Sequence, residues 1–157
     1  YATDWFSDNF YTNIIGNPLD PTVAMHYFIF GGVLERYPDL KFVLSHGGAF
    51  AAAYAGRMDH AYGSRPDCRE NISMPPSYYL EKFYPDSLVF TIEQLQYLIN
   101  RFGADHVLIG TDYPFDMGEY DPVEHVYQVP GLSSANRDLI CGGNALRLMH
   151  MTEDECK

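Results

Sequence analysis

The sequence predicts an α/β fold with a parallel sheet, and two observations carry that expectation. Short aliphatic runs alternate with helical patterns along the chain, and each strand-plus-helix unit returns the backbone to the same sheet in the same direction. Two of the runs end on a chemically active side chain followed by turn residues: Phe42-Val43-Leu44-Ser45-His46-Gly47-Gly48 and Leu108-Ile109-Gly110-Thr111-Asp112-Tyr113-Pro114-Phe115. Ligands gather at the C-terminal ends of strands in parallel α/β folds, so His46, Asp86 and Asp112 are expected at a common mouth.

Residues 1–19 mix aromatics with Asn, Asp and Gly without helical or alternating periodicity, which predicts a loop. Asp20-Pro21 then supplies an N-cap and a proline at the first helical position. Val23, Met25, Phe28, Ile29, Val33 and Leu34 give that helix a broad apolar face, and it is expected to end before Pro38. Residues 41–45 read as a short buried strand, and the Ala-rich segment 49–62 as a second helix whose small residues permit close packing. A polar connection over 63–76 leads to a short helix at 77–83 and a strand at 84–90, its apolarity interrupted by Asp86 and Ser87. Thr91 with Gln94 resembles a capping box, Ile92, Leu95, Leu98 and Ile99 recur at helical spacing, and Gly103 stands at the expected C-terminal cap. A third strand is predicted over 106–111 and a long loop over 112–131. A final helical stretch runs from Ser134, breaks at Gly142-Gly143 and resumes through Met149.

Composition excludes several function classes. The chain is 46% hydrophobic and 15% aromatic over 157 residues, ample material for a core. No apolar run approaches the roughly 18 residues of a bilayer span, and no basic and apolar leader opens the chain, so a cytoplasmic address is expected. With 10 Lys+Arg against 21 Asp+Glu the net charge is -11, which disfavours nucleic acid and anionic membranes as partners. Cys68, Cys141 and Cys156 are an odd number without CxxC spacing and read as free thiols. No Walker loop, GxGxxG, GxSxG or HExxH occurs.

Each candidate side chain has two readings at this point. His46, at a strand end with two glycines that let the backbone turn, serves either as general acid/base or metal ligand, or as a structural ring on a backbone carbonyl. Asp112 ligates a divalent metal, orients a histidine, or caps the following loop through an Asx-turn ahead of Pro114. Arg57, on the Ala-rich helix, reads locally as a solvated cation or a partner of Asp59. His26, His60, His106, His125 and His150 share no ligand spacing and read as structural or exposed.

Taken in order, His46-Gly47-Gly48, Gly56-Arg57, Asp86-Ser87, Gly110-Thr111-Asp112-Tyr113-Pro114 and Gly143-Asn144-Ala145-Leu146-Arg147-Leu148 resemble the amidohydrolase superfamily. Gly32-Val33-Leu34-Glu35-Arg36-Tyr37-Pro38-Asp39-Leu40-Lys41 fits the same branch, the one with aminocarboxymuconate-semialdehyde, γ-resorcylate and 5-carboxyvanillate decarboxylases. The resemblance implies a distorted (β/α)₈ TIM barrel with one divalent metal, zinc or manganese, at the mouth of its strands. A whole barrel takes about 250 residues, so residues 1–157 are expected to be a single partial domain, the C-terminal half with about strands six to eight.

By the same resemblance, Asp112 matches the metal-ligating aspartate after the eighth strand and His46 the acid/base histidine after the sixth, and either is a catalytic candidate for returning a proton to carbon. Arg57 matches an arginine that reaches the substrate carboxylate across a dimer interface, which implies a homodimer or higher oligomer. The implied activity is that of a metal-dependent, nonoxidative decarboxylase (a carboxy-lyase) of an aromatic or muconate-type carboxylic acid. Hydrolysis or hydration by the same site, and a catalytically incomplete fragment, are the alternatives. No His-x-His spacing occurs in the chain, so Asp112 is the one family ligand it is expected to contain.

Overall fold

The architecture, from a computed structural model that describes residues 8–156, is α/β and divides at Phe83 into two compact units. In the first unit a π-helical turn, Thr12–Gly16, runs directly into α1 (Asn17–Phe30). The predicted loop over 1–19 is therefore helical from Thr12 onward; its first seven residues lie outside the described ones. The predicted start at Asp20-Pro21 is also corrected, because Pro18 takes the first-turn position where a missing N–H costs nothing. Thr22 Oγ1 donates to the Pro18 carbonyl at 3.0 Å.

The single helix expected up to Pro38 is broken in two: Gly31 ends α1, and Gly32, at φ 69°, turns the chain into α2 (Val33–Arg36), which stops ahead of Pro38. A Cβ on Gly32 would lie 2.5 Å from the Asn71 carbonyl oxygen, so this turn is closed to other residues. β1 (Phe42–Leu44) follows within the predicted strand. Its Phe42 ring stacks on Phe28 at 4.1 Å and on Phe83 at 5.5 Å.

α3 (Ala51–Ser64) buries Ala51, Ala52 and Ala55, so the small residues form its packed face as expected. A 3₁₀ turn at Pro66–Arg69, α4 (Pro76–Tyr79) and a second 3₁₀ turn at Leu80–Lys82 lead to β2 (Phe83–Pro85), paired with β1 in a two-stranded sheet. Glu35 of α2 accepts hydrogen bonds from the Tyr79 hydroxyl and from Ser73 Oγ, the latter at 2.7 Å. These bonds hold the Glu35 carboxyl below its usual range, Tyr79 most and Ser73 next. The Tyr79 hydroxyl is pushed up, chiefly by burial and then by its bond to Glu35.

The second unit opens with a correction. The strand predicted over 84–90 ends at Pro85, because Asp86 Oδ1 accepts the Leu88 N–H at 3.1 Å and bends the chain into an Asx-turn. α5 (Ile92–Phe102) is built as read: Thr91 Oγ1 accepts the Gln94 N–H at 3.3 Å, Leu95, Leu98 and Ile99 are buried, and Gly103 at φ 91° ends it.

The third predicted strand, 106–111, is reduced to a single parallel bridge between Asp86 and Leu108. Leu108 N–H donates to the Pro85 carbonyl at 2.9 Å, but the next amide, Ile109, donates at 3.0 Å to Ile140, which lies in a helical segment. The next amide on the same side as Leu108, that of Gly110, donates to Ser87 Oγ at 3.2 Å rather than to a main-chain carbonyl, so the ladder stops after one bridge.

The predicted loop 112–131 contains α6 (Pro122–Tyr127), which Asp121 caps by accepting the Glu124 N–H at 3.3 Å. The last helix breaks where predicted, into α7 (Ser134–Asp138), a π turn at Leu139–Gly143 and α8 (Asn144–Met149). Asn144 is fully buried and donates to the carbonyls of Ala104 at 2.8 Å and Val107 at 2.7 Å. α8 is thereby tied to the turn that leads into Val107–Asp112.

Cys68 and Cys141 are free thiols, and the side chain of Cys156 lies outside the described residues. Among the described residues no helix is long and apolar enough to cross a membrane.

Candidate functional site

His46 and Arg57 belong to the first unit, and Asp86 and Asp112 to the second, so each pair is described within its own unit. Ser45 ends β1 in extended conformation, and the chain then takes left-handed backbone at His46 (φ 55°), Gly47 (63°), Gly48 (68°) and Ala49 (53°). Two backbone bonds close this turn, Gly48 N–H to the Ser45 carbonyl at 3.1 Å and Ala49 N–H to the His46 carbonyl at 2.8 Å. The glycines adopt that conformation freely, whereas His46 is strained in it.

His46 is half-buried, and its Nδ1 is buried without a hydrogen-bond partner among the described residues. A structural ring resting on a backbone carbonyl would have satisfied that nitrogen.

Arg57 projects from α3 and is exposed. The alternative pairing with Asp59 is not formed, because Asp59 Oδ1 accepts the Ser77 N–H at 2.9 Å and caps the start of α4. Among the described residues Arg57 has no ion pair.

Asp112 also sits in left-handed backbone, at φ 56°. The Asx-turn reading of its side chain is not met: Thr111 Oγ1 accepts the Tyr113 N–H at 3.2 Å instead, and the Asp112 main-chain carbonyl accepts the Phe115 N–H at 2.9 Å. Its half-buried carboxylate has no hydrogen-bond partner among the described residues.

Asp86 and Ser87 lie beside this segment. Ser87 Oγ, 2% exposed, accepts the Gly110 N–H at 3.2 Å, and a Cβ on Gly110 would meet Asp86 Cβ at 2.7 Å and Cγ at 2.8 Å. Gly110 is therefore required by the close approach of Asp86 and Ser87 to the segment that ends on Asp112.

Nothing in the sequence singled out Glu119, and His125, expected to be structural or exposed, is buried and bonded to it. Glu119 N–H donates to the Thr111 carbonyl at 2.8 Å, and its Oε2 lies 3.3 Å from Nδ1 of the buried His125 on α6. The legible signal was Asp121-Pro122, which announces α6 in the way Asp-Pro announces any helix start. His106 is structural, stacked on Tyr84 at 4.7 Å and paired with Asp105 at 3.1 Å, while His26, His60 and His150 are exposed.

An unpartnered, half-buried carboxylate suits one bond to a cation. Among the described residues, however, no group of three or more His, Cys, Asp or Glu side chains could hold a metal ion. A catalytic zinc typically takes about three protein ligands, so these residues by themselves do not make a complete metal site.

The chain belongs to the amidohydrolase family, whose pattern matches residues 11–150, and within it to the branch of the aminocarboxymuconate-semialdehyde and γ-resorcylate decarboxylases. It is 37% identical over 137 residues to the 2-amino-3-carboxymuconate-6-semialdehyde decarboxylase of Dictyostelium discoideum, across 87% of this chain and 38% of that protein. Its structure is similar to the 5-carboxyvanillate decarboxylase of Sphingomonas paucimobilis, with a TM-score of 0.83 and 25% identity over 96% of this chain and 46% of the other. It is also similar to a dihydroxybenzoic acid decarboxylase of Polaromonas sp. JS666, solved with bound manganese and the inhibitor 2-nitroresorcinol. There the TM-score is 0.70 and the identity 26%, over 82% of this chain and 39% of that one. The chain thus spans less than half the length of each of these relatives.

Proposed function

We propose that this chain forms part of a nonoxidative carboxy-lyase acting on an aromatic or muconate-type carboxylic acid, and that it supplies about strands six to eight of a (β/α)₈ barrel. In the proposed reaction the bond from carbon to carboxylate breaks, its electron pair stays on the substrate carbon, carbon dioxide leaves, and that carbon takes a proton. His46 is the proton carrier. Arg57 grips the substrate carboxylate with its planar guanidinium at the interface of a homodimer, where an exposed position on α3 suits it. Asp112 is one ligand of a divalent ion, zinc or manganese, whose chemistry when bound is that of a Lewis acid toward an anionic substrate.

One observation carries the proposal. His46 and Asp112, the two groups the chemistry needs, are both in left-handed backbone, with a ring nitrogen and a carboxylate left without partners among the described residues. Strained, unsatisfied polar groups of this kind cluster where a ligand completes them.

In the complete enzyme, His46→Ala is expected to lower carbon dioxide release by about 100-fold or more, in line with loss of a general acid. Arg57→Ala should raise KM by about tenfold or more, the loss of a hydrogen-bonded charge pair. Near-normal turnover by a folded His46→Ala variant sinks the assignment, and incorporation of labelled solvent oxygen without carbon dioxide release points to hydrolysis or hydration instead.

A further inference from the structure

Two peptide planes flank Asp112, and both are pinned. The Thr111 carbonyl, in the plane from which the φ of Asp112 is measured, accepts the Glu119 N–H at 2.8 Å. The Asp112 carbonyl, in the following plane, accepts the Phe115 N–H at 2.9 Å. Between them the chain doubles back through Gly118, where a Cβ would lie 2.9 Å from the Thr111 oxygen and 3.0 Å from the Phe115 oxygen. Left-handed backbone costs a residue such as aspartate about 1–2 kcal/mol, so this conformation persists because these bonds over-determine it.

The first pin depends on Glu119, and Glu119 is held from two sides. Its Oε1 accepts the Asp121 N–H at 2.9 Å, at the cap of α6. Its Oε2 lies 3.3 Å from Nδ1 of His125, whose side chain is 8% exposed. A carboxylate only accepts, so the proton in this bond is on Nδ1. Nε2 of the same ring is buried without a partner among the described residues. Among the described residues Glu119 is the one side chain that hydrogen-bonds this ring, and the bond ties His125 to Glu119 and, through it, to the Thr111–Asp112 peptide.

We propose that His125 and Glu119 are positioning residues for Asp112, a pair that fixes the direction of its carboxylate without touching it. The catalytic part of this claim rests on the carboxy-lyase reading; the mechanical part does not, so the two are tested apart.

Amide exchange at Phe115 and Glu119, measured without substrate, is expected to quicken about tenfold or more in His125→Ala. kcat should fall about 10- to 100-fold, the usual effect of removing a group that orients a ligand, with KM nearly unchanged. His125→Asn, whose amide reaches the Nδ1 position, restores both, whereas His125→Gln, which places its amide at Nε2, does not. That contrast also decides the matter if His125→Ala fails to fold.

Unchanged exchange in His125→Ala, equal behaviour of the Asn and Gln variants, or a proton found on Nε2 rather than Nδ1 by ¹⁵N imidazole shifts overturns the positioning role. Normal carbon dioxide release by Asp112→Asn would overturn the catalytic part of the claim, and incorporation of labelled solvent oxygen without carbon dioxide release would overturn the carboxy-lyase reading; the exchange result would stand regardless of either.

Discussion

Asn144→Ala tests whether the tie between α8 and the segment ahead of Asp112 stabilises the second unit. Asn144 is fully buried, and its Nδ2 donates to two carbonyls, Ala104 at 2.8 Å and Val107 at 2.7 Å, while its Oδ1 accepts from Arg147 at 3.2 Å. Each donated bond is worth about 1 kcal/mol net, and a carbonyl left buried without a donor costs about 1–3 kcal/mol. Val107 is itself fully buried, so its carbonyl bears the larger share. The sum is about 3 kcal/mol, which corresponds to a fall in Tm of roughly 6–12 °C for a chain of this size. Urea unfolding gives the free energy and a thermal melt the Tm. Asn144→Asp is the sharper comparison: it preserves the shape but sets an acceptor against two acceptors, so at neutral pH it should destabilise at least as much as alanine. Both variants unfolding within about 0.5 kcal/mol of wild type, the range of an unremarkable surface change, would refute the double-donor argument.

Two further outcomes follow from contacts outside Asn144. Gly110→Ala drives a Cβ to 2.7 Å from Asp86 Cβ and should cost about 1–3 kcal/mol, read as a lower urea midpoint; a wild-type midpoint would mean that Asp86 moves aside freely. Tyr79→Phe should change the acid limb of the stability profile. The Tyr79 hydroxyl is the largest cause of the lowered Glu35 pKa, and a carboxyl lowered in the folded state adds stability that is present above its unfolded value, about 4.3, and is lost as pH falls through the folded one. Urea midpoints measured as the pH falls through the carboxylate range should therefore decline less steeply in Tyr79→Phe, and an unchanged slope would show that the Glu35 bond contributes nothing there.

The features legible in the sequence are those whose causes lie within a few residues. Thr91 caps α5 through the Gln94 amide, Pro38 follows the end of α2, and Gly142-Gly143 coincides with the π turn. The Asp-Pro dipeptide shows the limit of such signals. At Asp121-Pro122 it begins a helix, while at Asp20-Pro21 the helix has already begun, because Thr12–Gly16 was helical upstream. A start signal states where a helix is able to begin and says nothing about whether one is already running. The strand expected over 106–111 failed for a longer-range reason. Its side chains suit a strand, but the Gly110 amide that would continue the pairing found the Ser87 hydroxyl, more than twenty residues away, and no local pattern encodes that partner.

The same distinction separates the two site candidates. His46 and Asp112 share the left-handed conformation, with φ of 55° and 56°, but different neighbours hold them there. His46 is followed by Gly47 and Gly48, which take that conformation freely and so announce a sharp turn in the sequence itself. Asp112 has no such neighbours. Its conformation is fixed by amides donated from Phe115 and Glu119, and Glu119 in turn by His125, a residue whose spacing carries no ligand signature. That Asp112 would be strained, and that a histidine thirteen positions later would hold it, was therefore invisible to any local reading. A site residue can be read from sequence when its geometry is imposed by adjacent backbone freedom; when hydrogen bonds from a folded-back loop impose it, only the chemical identity of the residue is legible. On that argument a substitution at Gly47 or Gly48 should disturb His46 directly, whereas Asp112 is most vulnerable at positions that never touch it.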